Sequence, residues 1–352
     1  MLLSIQFPAW LKPEIIPGLP IRWYGLMYFV AFATAFVMCR KEIRERNFPM
    51  TDDDLSGLFF WSILGLLLGA RIFSTIVYEP SSIYREQPWL IFWPFKDGEF
   101  TGLQGMSYHG GVIGCVTGAV LWSIFNKQDV REIGDMLSAA IPLGYTFGRI
   151  GNFINAELYG RVTTAPWGMI FPNAKELDPR LEWVREAAAK TGVDIPVSAS
   201  GVSPFINLPR HPSQLYEAFL EGVFLWFIIW LARNKKPFKG FLVSLYLIGY
   251  GVLRFFIEYF RQPDSDLGYK IQLAANKAPL DYIHPLTSFS TGQVFCFIMI
   301  LIGIAGLVIF PRLPNSKPLI VYPKQSDAKL VQGDTNKIKE RNKQKNIRRK
   351  LK

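Results

Sequence analysis

The chain has 352 residues, of which 50% are hydrophobic and 15% aromatic, and carries a formal net charge of +11. Two ordinary soluble domains would fit that length, but the apolar residues are gathered into blocks of about 17–25, the length needed to cross hydrocarbon as a helix, which speaks against a soluble chain. The basic residues follow alternate blocks rather than covering one domain face, so the charge marks membrane topology and not nucleic-acid binding.

An all-α integral membrane protein with about seven transmembrane helices is therefore predicted. The spans fall near 23–39, 55–77, 110–125, 134–153, 214–232, 240–260 and 290–310. The first has no basic segment ahead of it and is followed at once by Arg40, Lys41, Arg44 and Arg46, so it reads as a permanent helix rather than a cleaved signal. Lys127 and Arg131 follow the third span, and Arg233, Lys235, Lys236 and Lys239 the fifth. The positive-inside rule puts these loops and the C-terminus in the cytoplasm, and an odd number of spans leaves the N-terminus outside.

Of the outer segments, 78–108 is rich in Pro, Gly and aromatic residues and reads as an ordered arm, while 161–212 reads as a small extracytoplasmic head. Within the head, "DPRLEWVREAAAKTG" (178–192) predicts one amphipathic helix, with Asp178 as cap, Pro179 at the first helical position and Gly192 past the end. Residues 1–310 thus form a membrane domain including arm and head. Residues 311–352 form a basic cytoplasmic tail too poor in apolar side chains to bury a core; disorder and attraction to anionic lipid headgroups are expected of it. Cys39, Cys115 and Cys296 sit in separate spans with no CxxC or Cys/His pairing, and read as small packing residues rather than disulfide partners or metal ligands.

A charge inside a span costs several kcal/mol, so intramembrane ionisable residues are functional candidates by default. In "GRIGNFINAELYGR" (148–161) and the turn before it, Tyr145, Arg149 and Asn152 share a helical face, and Gly144, Gly148 and Gly151 allow a helix or a lipid headgroup close to the backbone. The guanidinium fork of Arg149 suits a phosphate. In "YGVLRFFIEYFRQPD" (250–264), Tyr250, Arg254, Glu258 and Arg261 form one polar stripe on an aromatic helix, with Arg254 and Glu258 spaced to pair. "SYHGGVIGCVTG" (107–118) places His109, a side chain able to exchange a proton near neutral pH, at the outer start of the third span, followed by small residues that permit close helix packing. "HPSQLYEAFLEG" (211–222) lines Gln214, Glu217 and Glu221 along one side, where the carboxylates would support arginines of neighbouring helices. Tyr24 in "RWYG" and Arg71 after "GLLLGA" are weaker signals. With this topology, His109, Arg149 and Arg254 converge near the outer leaflet and describe a pocket for an anionic phospholipid head.

Five stretches of the chain, in order, resemble those of a known family. "GRIGNFINAELYGR" closely resembles the signature stretch of bacterial prolipoprotein diacylglyceryl transferases, and "IRWYGLMY", "MSYHGGVIG", "RHPSQLYEAFLEG" and "LIGYGVLRFFIEYFRQPD" match in the family's order from about residue 21 to 310. The resemblance implies transfer of the diacylglyceryl group of phosphatidylglycerol to the thiol of a prolipoprotein lipobox cysteine, in a bacterial plasma (inner) membrane, without metal or cofactor. Carried over by motif, the important positions are Tyr24, His109, Arg149, Asn152, Glu157, Gly160, Tyr250, Arg254 and Glu258. His109 is then expected to act as base and Arg149 and Arg254 to hold the phosphate. Tyr24 and Tyr250 would orient the head, Asn152, Glu157 and Glu258 would hold the arginines, and Gly160 would serve backbone geometry. Phosphatidylglycerol and a lipobox peptide are the expected partners. A transporter with an anion-binding pocket is the alternative, and a metal-dependent headgroup enzyme fits less well, because "TDDDL" (51–55) reads as a helix start.

Overall fold

The first apolar block does not stop at its basic cluster. Helix α1 (Trp23–Arg46) carries Arg44 and Arg46 into its last turn, where cations meet the negative end of the helix dipole. In the computed structural model, residues 4–318 are described except 17, 19–21, 47, 80–82, 97–98, 101–104, 197–204, 263–268, 274–278 and 280. The expectation of a disordered tail therefore falls, from residue 319 on, outside the described residues. The other helices that concern us are α2 (Asp52–Phe73), α3 (Tyr108–Phe125), α4 (Val130–Ser138), α5 (Ile141–Ile154), α6 (Glu182–Thr191), α7 (Ser213–Lys235), α8 (Phe241–Ile257) and α9 (Thr291–Ile309).

Among the described residues, five helices are long and apolar enough to cross a membrane: α1, α2 with its continuation to Tyr78, α3, α7, and α9 with its continuation to Arg312. The chain is thus a mostly helical, multi-pass membrane protein, and two of the predicted spans are corrected. The fourth, 134–153, is not one helix: it breaks at Ala139–Ala140 into α4 and α5. Pro142 lacks an amide hydrogen and is suited only to the first turn of a new helix. The sixth contracts to α8, 17 residues long. At 1.5 Å per residue α5 and α8 reach about 21 and 26 Å, short of a bilayer core of about 30 Å.

Local sequence accounts for several helix ends. Thr51 and Asp54 form a reciprocal capping box at the start of α2, as "TDDDL" predicted, and Ser290 and Gln293 form another ahead of α9. In the head, α6 ends on Gly192 in the left-handed conformation (φ 71°), as expected, but starts only at Glu182. Asp178 instead accepts from the amide of Arg180 at 2.9 Å, closing a turn, so its expected role as the helix cap is corrected.

Glycines decide the tightest helix pair. Gly65 and Gly69 of α2 face Gly110, Gly114 and Gly118 of α3, and a methyl group on Gly114 would collide with the carbonyl of Gly65. The head has its own core of Val162, Leu177, Val184, Ala187, Ala188, Ile206 and Leu208. Short strand pairs supplement the helices outside the spans: Ile5–Gln6 lies parallel to Met169–Ile170, Phe95–Lys96 antiparallel to Glu99–Phe100, and Tyr269–Gln272 antiparallel to Ser288–Ser290. The arm is tied to α2 by Arg71, whose guanidinium donates to backbone carbonyls of Ile91 and, at 3.3 Å, Gly105.

Basic residues read from the sequence as topology markers turn out to be buried as well. Arg46 meets Glu132 at 3.3 Å and Glu42 at 3.6 Å, Arg233 meets Glu42 at 2.6 Å, and Lys236 meets Asp135 at 3.0 Å. Asp135 also accepts from the amides of Gly240, Leu242 and Val243 at 2.8–3.1 Å, capping the start of α8 from another helix. The end of α8 that carries Arg254 is oriented by this anchorage at the opposite end.

Candidate active site

The side chains of the signature stretch project from α5. Residues three and four apart on a helix are neighbours, and Arg149 Nε lies 2.7 Å from the hydroxyl of Tyr145, with the guanidinium 4.8 Å from that ring's centroid. Arg149 Nη1 donates to Asn152 Oδ1 at 3.4 Å, and Asn152 Nδ2 donates to Glu157 at 2.9 Å. Glu157 therefore reaches Arg149 through an amide rather than by direct pairing, and the amide of Asn155 adds a second bond to it at 3.4 Å. Beyond the helix, Ala156 (φ 52°) and Leu158 (φ 54°) both adopt the left-handed conformation. Two such non-glycine residues so close together are strained, and they aim Glu157 back at its own helix end.

Arg254 arrives from α8. Its Nη2 pairs with Glu258 Oε2 at 3.2 Å in the i,i+4 arrangement its spacing predicts. Its Nη1 lies 3.2 Å from Glu217 Oε2 and 3.7 Å from Glu221 Oε1. Glu217 Oε2 is also 3.0 Å from Arg149 Nε, and Glu217 Oε1 is 3.7 Å from Arg261 Nε. One fully buried carboxylate of α7 thus joins arginines from α5, α8 and the segment after α8. The arginines are less enclosed, with side chains 13% (Arg149) and 11% (Arg254) exposed. Glu258 also accepts from the hydroxyl of Ser290 at 3.0 Å.

Backbone irregularity brings these groups together. Residues Ala218–Phe224 of α7 form a π-helical stretch, a wide turn frequent at functional sites. There Gly222 lies so close to Thr146 of α5 that an added Cβ would strike its hydroxyl. Gly160 is wedged between two elements: its amide donates to the carbonyl of His211 at 2.8 Å, and an added Cβ would collide with the carbonyl of Phe260 and stand 2.7 Å from His211 Cβ. Gly148, beside Arg149, has open space where a side chain would be.

The remaining expected residues divide. Tyr250 packs edge-on to Tyr145, ring centroids 6.0 Å apart, and so lines the arginine cluster. Tyr24 hydrogen-bonds Tyr28 at 2.9 Å and lies against Gly151, one residue from Asn152. His109 is set apart: its Nδ1 is 2.9 Å from the hydroxyl of Tyr78, and its ring contacts Tyr108 and Phe295, none of them members of the arginine cluster. The expected convergence holds for Arg149 and Arg254, while His109 occupies a separate position at the start of α3. Among the described residues, no group of three or more His, Cys, Asp or Glu side chains is placed to hold a metal ion.

Sequence reasoning missed two contributors. Ser290 reaches Glu258 from the cap of α9, and the S-x-x-Q pattern at 290–293 was the available signal. His284, buried beside Arg161 at 3.3 Å, donates from Nε2 to the carbonyl of Ser288 at 2.9 Å, a contact no local pattern announces.

A family model of the prolipoprotein diacylglyceryl transferases matches residues 13–309. The chain belongs to the prolipoprotein diacylglyceryl transferase family. Among proteins named phosphatidylglycerol–prolipoprotein diacylglyceryl transferase, that of Treponema denticola is 52% identical over 326 residues, covering 88% of this chain and 95% of its own length. That of Treponema pallidum is 51% identical over 320 residues, with 87% and 95% covered. That of Chlorobaculum tepidum is 40% identical over 309 residues, with 86% and 91% covered. The match to the diacylglyceryl transferase family takes in α1, α2, α3, α7 and α9 and every residue of the arginine cluster.

Proposed function

We propose that the chain transfers the diacylglyceryl group of phosphatidylglycerol to the thiol of the lipobox cysteine of a prolipoprotein, forming a thioether and releasing glycerol phosphate, at the outer face of a bacterial plasma membrane. The observation that carries this reading is the meeting of Arg149 and Arg254, from separate helices, at one anionic oxygen. Charge-assisted hydrogen bonds from guanidinium groups suit a lipid phosphate. Relatives about half identical and matched over 95% of their length carry the same activity in their names.

A thiol titrates near pH 8.5 and attacks as the thiolate. His109 takes the thiol proton, directly or through water. The sulfur then attacks the terminal carbon of the diacylglycerol, forming the carbon–sulfur bond as the carbon–oxygen bond to phosphate breaks. Both electrons of that bond leave with the phosphate ester, whose growing charge Arg149 and Arg254 stabilise. Fixed donors in a site of low dielectric stabilise such charge far better than water does. Tyr24 and Tyr250 orient the headgroup, Asn152, Glu157 and Glu258 hold the arginines, and Gly160 keeps the head joined to α7 and α8. In this reading the chain crosses the bilayer seven times, α4 together with α5, and α8 together with the turn that follows it, completing the set, with the N-terminus outside and the basic tail against anionic headgroups of the cytoplasmic leaflet.

The test uses the purified chain, phosphatidylglycerol vesicles and a lipobox peptide. Mass spectrometry is expected to find a diacylglyceryl adduct on the peptide cysteine and none on a Cys→Ser peptide. No adduct on the cysteine peptide would overturn the transferase reading, and solute flux without an adduct would turn it toward a transporter.

A further inference from the structure

The two arginines that the transferase reading assigns to the lipid phosphate already share an anion. Glu217 Oε2 lies 3.0 Å from Arg149 Nε and 3.2 Å from Arg254 Nη1. This single oxygen holds the two nitrogens no more than about 6 Å apart, although like charges repel at that distance. Glu217 is fully buried, whereas both arginines keep some exposure. Its other oxygen faces Arg261 Nε at 3.7 Å, and the hydroxyl of Tyr145 stands 3.4 Å from Oε2. The approach is built into the backbone as well. The π-helical stretch begins directly after Glu217, and Gly222 within it lets α7 press against Thr146 of α5, one residue from Tyr145.

We propose that Glu217 is a positioning residue that holds Arg149 and Arg254 on one oxygen and yields that place to a phosphate oxygen of the lipid. It has two opposed effects. By gathering the guanidinium groups it presets the geometry in which both contact one phosphate as charge develops on the leaving oxygen. By occupying the place of the phosphate it competes with the lipid in the ground state. An interaction that weakens substrate binding while improving transition-state geometry appears in kcat and KM with opposite sign from simple binding. A role in folding alone would change the yield of folded protein and leave the kinetic constants of the folded fraction as they were.

The inference rests on the transferase reading and is tested with the full chain in vesicles, with rates taken per mole of folded protein after size-exclusion chromatography. Glu217→Gln keeps the volume but removes the charge, so the place that Arg149 and Arg254 share holds a neutral amide oxygen or an NH2 group. Its kcat is expected to fall at least about tenfold, with KM for phosphatidylglycerol unchanged or lowered. Glu217→Asp, which retains the charge, is expected to recover part of kcat. Parental kcat in Glu217→Gln, a loss confined to a raised KM, or an Asp variant no better than Gln overturns the inference. Should the Gln chain not fold, the Asp chain carries the test: lowered kcat at unchanged KM supports the proposal, and parental kcat overturns it. No adduct from the unaltered chain would instead overturn the transferase reading itself, so the two failures are distinguishable.

Discussion

Arg254 makes ion pairs with Glu217, Glu221 and Glu258, and truncating it leaves three buried carboxylates short of a cation. Arg254→Ala is expected to lower thioether formation at least about a hundredfold, as scored by mass of the peptide adduct, while the chain still inserts and purifies as a folded monodisperse species. His109 is tested separately because it stands outside the arginine cluster. His109→Gln should reduce the rate about a hundredfold; an unchanged rate would make the histidine structural. Some of this residue chemistry was legible in the sequence. The helical spacing of Tyr145, Arg149 and Asn152, and of Arg254 and Glu258, gives the contacts now observed, because residues on one turn of helix meet whatever surrounds them. Glu157 holds Arg149 only through a relay by Asn152, since the left-handed residues after α5 turn the chain back.

Elements meet at seams, and the seam between the head and the ends of α7 and α8 runs through Gly160 and His211. Gly160→Ala places a methyl group against the carbonyl of Phe260 and is expected to destabilise the protein by about 1–3 kcal/mol, read as a lowered Tm of the detergent-solubilised chain. At the same seam His211 Nδ1 lies 3.2 Å from the Tyr216 hydroxyl, and burial lowers the pKa of the imidazole from 6.5 to about 4. An imidazole harder to protonate in the folded than in the unfolded state favours folding fully above the unfolded pKa and loses that contribution as pH falls toward the folded one. Tm is therefore expected to drop between pH 6.5 and about 4, and to drop less in His211→Phe; equal slopes would remove His211 as the cause. Sequence spacing identified most helices, because apolar blocks and caps such as Thr51 with Asp54 act within one element. It misjudged the fourth span because its apolar run continues across 139–140, where Pro142 permits a break that the surrounding packing then uses.

On the scale of the whole molecule, two ionic layers organise the chain: the arginine cluster, and the network of Arg46, Glu42, Glu132, Asp135, Arg233 and Lys236 around the start of α8. The proposed orientation puts the second at the cytoplasmic end. Alkaline phosphatase fused after residue 318 is expected to be inactive in cells, and a cytoplasmic fluorescent protein fused at that point to be bright; the reverse pattern would invert the topology and place the arginines on the wrong leaflet. The membrane class, the cap at Thr51, the polar stripe on each helix and the family motifs were determined by the sequence alone, because each depends on residues within a turn or two of one another or on the run length of apolar side chains. The tertiary structure alone decided that a single carboxylate of α7 joins arginines from different elements, that His109 lies apart from them, and that basic residues read as loop markers are buried ion pairs. Such contacts depend on the distance between helices, which is set by where glycines let backbones touch and where a helix widens or breaks. No local pattern encodes that distance.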